Sequence, residues 1–427
     1  MLMAPMAKKI SFGSCLSTVA LLSAFGALSC SAKVVDLGSN PRGDSTDPIY
    51  SSDPPPDTSA SAIVAGTTAF RIVDKEYTNA NYQYGDCEGM LCDHEIYGNS
   101  FTVVSGRLYW VSRTYPGSNT RNFVRSCNID HCASSLFTHY TTEFYGGCYQ
   151  GDQDIQADFR SDASMIYWRN NCAGEILYSP MDGHSAATSI SATGAIYTNF
   201  VVDGGLFYAT TDAAKILRCT ASDCAPSLEL FAMTPPAAEA DSPLSSNSPI
   251  VAQDSDYLYL VDAANARLIR VRKDPKASFE VLVHLPKYIA IAQVVLQGDS
   301  LYWVENVLMG ELKSCAKTGC ADKPTTLMTG LHRPTSLAVD DSSLYVLEPP
   351  EITGADYSGV APNTGRILKC PTSGCTNPTV VYSRTDEMFM ESLLVDDRFL
   401  YFSGNYCKRD NYISWQGPCA YIAAVPK

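Results

Sequence analysis

Two stretches, PTSLAVDDSSLYVLE at residues 334–348 and GRILKCPTSGCTNPTVVY at residues 365–382, hold four short apolar runs separated by turn chemistry. Residues 336–339 predict a first strand, and Asp340, Asp341, Ser342 and Ser343 predict a turn. Residues 344–347 predict a second strand. It is apolar on both faces, as a strand packed between two layers must be. Residues 348–364 are rich in Pro and Gly and predict a long loop. Residues 366–370 predict a third strand, Cys370 to Cys375 a turn, and residues 379–382 a fourth strand.

The unit returns along the chain. A short apolar run, a turn with Asp, Gly or Ser, and an aromatic tripeptide occur seven times: Leu108-Tyr109-Trp110, Ile166-Tyr167-Trp168, Leu206-Phe207-Tyr208, Leu258-Tyr259-Leu260, Leu301-Tyr302-Trp303, Leu344-Tyr345-Val346 and Leu400-Tyr401-Phe402. Their starts lie 58, 40, 52, 43, 43 and 56 residues apart. A period near 40–45 residues with β-rich runs is the signature of propeller blades, each of four antiparallel strands. Beyond the first 30 residues helical periodicity is hard to find. The expected fold is therefore all-β: a single disulfide-stapled β-propeller over residues 62–427, with seven blades, or six or eight as alternative counts. Residues 62–98 lack the aromatic tripeptide. They read either as strands that close the ring against the C-terminal blade or as a degenerate eighth blade. The short last repeat, ending at Ala420 to Val425, favours closure.

The pattern Val-Asp-x-x-x-Leu-Tyr-Trp followed by Ile-Leu-Arg-Cys resembles β-propellers of the YWTD, NHL and TolB-like group. In particular it is similar to predicted bacterial lipoproteins with a Cys-x4-Cys blade turn. The resemblance spans residues about 62 to 427. It implies the fold and leaves the function open, because such propellers host binding modules and enzymes alike.

The chain has 16 cysteines. Ten form five Cys-x4-Cys pairs: Cys87 with Cys92, Cys127 with Cys132, Cys219 with Cys224, Cys315 with Cys320, and Cys370 with Cys375. In the register above, each pair flanks the turn between third and fourth strands, where two Cβ atoms face each other within bridging distance. Four more suggest Cys148 with Cys172 and Cys407 with Cys419. Zinc is the competing reading, but the pairs fall on different repeats and only His94 and His131 lie near any of them. Two repeats break the cysteine pattern and confirm its register: Ser179 and His184 hold the two positions in one, Val271 and Lys276 in the other.

The pairing fits an exported chain. Lys8 and Lys9, then an apolar stretch to Leu28, have the parts of a secretory signal over residues 1–29. Ala27-Leu28-Ser29-Cys30 resembles the bacterial lipoprotein signal, which implies a lipid on Cys30. An ordinary cleavage near Ser29 or Ala32 is the alternative. Residues 30–61, rich in Ser, Asp and Pro, read as a disordered tether. Arg42-Gly43-Asp44 within it reads as chance in so biased a composition. The expected location is an outer-membrane or cell-surface lipoprotein, with a periplasmic or secreted protein as the alternative. The net charge of −14 repels a phosphate backbone and argues against nucleic acid.

Motifs for chemistry are scarce. Gly183-His184-Ser185-Ala186-Ala187 resembles a nucleophile elbow only superficially and lies in a blade turn. The six histidines, at 94, 131, 139, 184, 284 and 332, form no ligand spacing and read as surface or turn residues. Asp254 with Asp256, Asp340-Asp341 and Asp396-Asp397 read as turn caps. Asp152, Asp154 and Asp158 are the better calcium guess, but no cofactor is called. Four residues after each tripeptide start stand Ser112, Asn170, Thr210, Asp262, Glu305, Glu348 and Gly404. These read either as strand ends meeting solvent or as a polar ring at the channel mouth. On the second reading Asn170, Asp262, Glu305, Asn306 and Glu348 mark a ligand face. The expected function is a monomeric binding or scaffold module for a protein or glycan. The alternative is a metal-dependent or lactonase-like hydrolase using Asp262, Glu305 and Glu348.

Overall fold

Each apolar run pairs with the next, and the computed structural model holds seven four-stranded antiparallel sheets. It describes residues 70–73, 93–114, 120–144, 159–170, 175–182, 184–190, 197–211, 215–221, 224, 229–232, 242–245, 248–274, 278–287, 289–353, 359–360, 364–383, 389–405 and 420–427. Blades 1 to 6 span residues 93–144, 160–190, 197–232, 250–284, 291–332 and 336–383. In blade 6 the strands are Ser336–Val339, Ser343–Glu348, Arg366–Pro371 and Thr379–Ser383. The long loop also carries a small ribbon, Ile352–Thr353 against Gly359–Val360, which the sequence did not announce. Helix among the described residues is limited to the single turns Ile129–His131 and Cys132–Ser135 in blade 1 and to Cys224 at the blade 3 turn.

Blade 7 settles how the ring closes. Its first three strands are Phe389–Val395, Phe399–Asn405 and Ala420–Pro426, and its fourth is Phe70–Val73, with Phe70 opposite Ala424. The upstream strand satisfies the backbone edge that Ala420–Pro426 would otherwise leave open. Blade 1 begins at Asp93, so the described residues make seven blades.

First strands of successive blades are neighbours and surround the axis. Seven hydrophobic clusters fill the seams, one each. The alternation of side chains along the second strand sends the first and third residues of each aromatic tripeptide to the preceding blade and the middle one to the next. Thus Ile166 and Trp168 meet Tyr109, Leu301 and Trp303 meet Tyr259, and Leu108 and Trp110 meet Tyr401 across the closure. One sequence alignment needs correction. In blade 3 the tripeptide is Phe207-Tyr208-Ala209, since Phe207 pairs with Val202 and Cys219 as Leu108 pairs with Val103 and Cys127. A glycine turn at Gly204-Gly205 puts Leu206 at the turn edge. The equivalent polar position is then Thr211, not Thr210.

An antiparallel meander gives the ring two faces. Turns between first and second and between third and fourth strands share one, here the turn face. Connections from second to third strand and from blade to blade share the other, the loop face. Four Cys-x4-Cys disulfides close the turn face: Cys127–Cys132, Cys219–Cys224, Cys315–Cys320 and Cys370–Cys375, with Cα atoms 4.8–5.5 Å apart. Residues 1–69, and with them the signal, Cys30 and the tether, lie outside the described residues. So do Cys87, Cys92, Cys148, Cys172, Cys407, Cys419, and Asp152, Asp154 and Asp158.

The repeated aspartates cap turns on the same face. In blades 2, 4, 6 and 7, Oδ1 of Asp162, Asp254, Asp340 and Asp396 accepts the backbone N–H groups two and three residues on. Oδ2 accepts the phenol five residues on: Tyr167, Tyr259, Tyr345 and Tyr401 at 2.7, 2.8, 3.1 and 2.6 Å. Blades 1, 3 and 5 turn instead on a glycine at positive φ, Gly106, Gly204 and Gly298. Val104 stands where blade 1 would need the aspartate, and the buried Tyr109 hydroxyl has no partner.

Candidate functional site

The predicted ligand-face residues lie at the loop-face ends of second strands, one strand out from the axis. They are not free acids. Asp262 and Arg267 are both fully buried, with Arg267 Nε 2.9 Å from Asp262 Oδ2. Ser245 Oγ and Asn265 Nδ2 also donate to Asp262 at 2.8 Å, and Arg267 Nη2 reaches the Ser242 carbonyl at 2.6 Å. Glu305 is buried against Lys313 Nζ at 2.8 Å. Glu348 is buried and accepts Arg366 Nε and, at 2.7 Å, the backbone N–H of His332. The register supplies the base: Asp262 lies opposite Arg267 and Glu348 opposite Arg366. Asn170 Nδ2 donates to the Tyr140 hydroxyl at 3.2 Å, and the Asn306 N–H donates to the Ala290 carbonyl.

These groups share a task. Asp262 holds the 242–248 segment that enters blade 4, Glu348 holds the end of blade 5, Asn306 holds residue 290, and Asn170 holds blade 1. Each ties a second-strand end to the preceding blade or its exit. Buried charges persist only when paired and hydrogen-bonded, and these are. Among the described residues no group of three or more His, Cys, Asp or Glu is placed to hold a metal ion.

What reaches solvent on this face is different. The tight turn after Glu305 is closed by Gly310 N–H on the Val307 carbonyl and by Arg333 N–H on the same oxygen. It presents Leu308 and Met309, 55% and 72% exposed. Met309 and Arg333 both sit at positive φ, 61° and 45°, a conformation that non-glycine residues hold only under constraint. Gly310 is obligatory, since a Cβ there would stand 2.2 Å from the Glu305 carbonyl oxygen. Next to it His332 Nε2 pairs with Glu351 at 2.9 Å. Exposed apolar side chains in a constrained turn leave no pattern in sequence that separates them from core residues, and the sequence reading missed them.

Nearer the axis, polar side chains brace neighbouring first strands. Gln253 Nε2 donates to the Val202 carbonyl, Ser336 Oγ to Gln293 Oε1, and the Leu393 N–H to Ser336 Oγ. Arg160 Nε donates to the Phe200 carbonyl.

One histidine reading is corrected. His139 is buried, not at the surface or in a turn, and its ring lies 2.8 Å from Ser126 Oγ and 3.0 Å from Ser179 Oγ. Ser126 and His139 have the connectivity of a nucleophile and base. Ser126, however, is wholly buried, so a substrate has no approach to it. Ser185 is as the sequence suggested: its hydroxyl and N–H bond Asp182 within the blade 2 turn.

The fold and its staples define the class, a seven-bladed propeller with four disulfide-closed blade turns among the described residues. No known protein family matches the sequence, and no curated protein does. Solved structures do. A catalytically inactive variant of virginiamycin B lyase from Staphylococcus aureus, solved with quinupristin, superposes with TM-score 0.50 at 11% identity, over 77% of this chain and 94% of its own. A streptogramin B lyase gives 0.49 at 12% identity over 78% and 95%. BamB from Moraxella catarrhalis gives 0.42 at 10% over 77% and 94%. At these identities the likeness is one of fold.

Proposed function

We propose that the chain is an exported, lipid-anchored propeller whose loop face binds a protein or glycan at the cell envelope. The observation that carries this reading is the direction of the closing strand. Phe70–Val73 runs antiparallel to Ala420–Pro426, from the turn face toward the loop face. The chain entering at Phe70 therefore joins the ring at the turn face. The loop face, with Leu308, Met309 and Arg333 on it, is opposite that entry and is left open to a partner. Disulfides on four blades fit an extracytoplasmic protein. No described helix is long and apolar enough to cross a membrane. The domain division that goes with this reading is a signal over 1–29, a tether over 30–61 and a propeller over 62–427.

Two experiments test it. Radiolabelled palmitate is expected to enter the protein and to be lost in Cys30→Ala; a variant that still labels rejects the anchor. Purified protein is then mixed with solubilised envelope proteins and with a glycan array. Binding is expected to fall in Met309→Asp and Arg333→Glu and to hold in Asp299→Lys, a fully exposed change on the turn face. Equal binding by all three variants removes the loop face from the proposal.

A further inference from the structure

Among the described residues, blade 2 has the shortest strands of the ring. Its first and fourth strands have two and three residues, Arg160–Ser161 and Thr188–Ile190. Ser179 and His184 occupy its cysteine positions. A polar network centred on His139 of blade 1 stands where a staple would be.

A β-bulge builds this network. Val124 faces Tyr140 and Arg125 faces Thr138, so His139 is the extra residue of its strand. The bulge suspends the alternation for one step, and both His139 and Tyr140 turn toward blade 2. Tyr140 meets Asn170 and Trp168. His139 Nδ1 lies 3.1 Å from the Ser185 carbonyl oxygen, and its own carbonyl accepts the Ala187 N–H at 2.9 Å. A carbonyl only accepts, so Nδ1 carries the proton. Nε2 is then the acceptor, 2.8 Å from Ser126 Oγ. Ser126 accepts from Arg107 Nη1 at 2.9 Å and gives its own proton to Nε2. Ser179 Oγ donates to the same Ser185 carbonyl at 2.8 Å. Each donor has an acceptor while the imidazole is neutral.

A second proton breaks this order. A protonated Nε2 must donate to a Ser126 oxygen that already takes the Arg107 N–H, and two cations then share one buried hydroxyl. The charged groups facing the ring are Arg107 from the second strand of blade 1, and Asp182 and His184 from the blade 2 turn. Asp182 is engaged with Ser185 Oγ and the His184 and Ser185 N–H groups. Tyr109 and Phe137 cover the ring at 5.6 and 4.9 Å between centroids. We propose that His139 is a proton-sensitive latch on the seam between blades 1 and 2: neutral, it bridges Ser126 of blade 1 to Ser185 of the blade 2 turn; protonated, it keeps the Ser185 bond but loses the proton it accepts from Ser126 and faces Arg107 across that hydroxyl, so the blade 1 side of the seam loosens.

The sign is fixed. Burial above all, opposed by the Ser185 carbonyl and Asp182 and aided by Arg107 and His184, holds the imidazole below its ordinary value of 6.5. The latch is thus complete above about pH 6.5 and is lost as pH falls below it toward the folded value. Hydrogen exchange on the full chain between about pH 7 and pH 5 reads it. After correction for intrinsic rates, amides of residues 107–109, 124–128 and 137–141 are expected to lose protection roughly tenfold while blades 4 to 6 keep theirs. His139→Gln keeps an acceptor for Ser126 and a donor for Ser185 but does not titrate, and is expected to abolish the loss. An equal loss in His139→Gln, or a uniform loss in all blades, overturns the proposal. Should that variant not fold, imidazole NMR titration of the wild-type protein decides: a midpoint at or above about 6.5 overturns it, and a lower midpoint that tracks the exchange supports it.

Discussion

The turn face and the loop face hold the ring by different means. On the turn face the repeated devices are local: an aspartate bonds groups two, three and five residues away, and a cysteine reaches a partner five positions on, while Lys427 on Asp340 and the His139 network add ties between blades. On the loop face the ties span longer stretches. Asp262 gathers Ser245 and Arg267, Glu348 gathers His332 and Arg366, and Asn170 reaches Tyr140. Local devices repeat with the blade and are individually modest. Long-range ones differ from blade to blade, and each carries a buried charge or amide whose partner cannot be removed cheaply. The surface left over on the loop face is then free to vary, and there the constrained Leu308–Met309 turn stands out.

The largest effect is expected from the loop-face ties. Asp262→Ala leaves Arg267 buried without its carboxylate and is expected to cost about 3–5 kcal/mol in urea unfolding. Replacing both, with Leu at 262 and Met at 267, is expected to recover most of that. If the single variant costs no more than an exposed pair would, the contrast between the faces is false. Next come the staples. Cys370→Ser with Cys375→Ser is expected to lower stability by about 2 kcal/mol, the chain-entropy value for so short a loop. A drop as large as that of Asp262→Ala would reverse the ranking.

The aspartate–tyrosine clasps on the turns of blades 2, 4, 6 and 7 are expected to contribute less. Tyr401→Phe removes one hydrogen bond to a carboxylate and should cost about 1–2 kcal/mol. A matching loss in Tyr109→Phe, in blade 1, whose buried hydroxyl has no partner, would mean that the phenol acts by packing and not through the aspartate. The clasps also carry a pH signature. Burial opposes ionisation of Asp162, Asp254 and Asp340, yet the N–H and phenol donors, with Lys427 on Asp340, hold these carboxyls below their ordinary value. Burial, aided by Asp340, pushes the Tyr345 phenol up to about 12. Clasp stability is therefore present above about pH 4 and is lost as pH falls through the lower folded values. Acid unfolding should show two ranges, His139 above and the clasps below. A single range would mean that the His139 seam and the turn caps titrate together and are not separate devices. The smallest effect has the opposite sign: Met309→Gly is expected to raise stability by roughly 1 kcal/mol by relieving the left-handed backbone. No gain would mean that the turn is not strained.

Much of the architecture was readable because blades repeat. All four predicted strands of blade 6 lie within a residue or so of those observed, and four cysteine pairs close the turns where the register put them. The turn-capping role of Asp254, Asp340 and Asp396 was legible for the same reason: the bond runs to backbone a few residues away. The single register slip, in blade 3, came from Leu206. A two-glycine turn placed an apolar residue at the edge, and composition could not tell it from the strand start.

The amino-acid sequence by itself determined the class of fold, the position of each described staple and the face that the turns occupy. Those follow from alternation and from contacts between near neighbours in the chain, which any extended antiparallel repeat must make. Tertiary structure alone decided that Phe70–Val73 completes blade 7, that Asp262, Glu305 and Glu348 are paired within their blades, and that a bulge aims His139 across a seam. The first and third depend on which distant strands share an edge or a seam, fixed only when the ring closes; the second depends on the register of neighbouring strands within each blade.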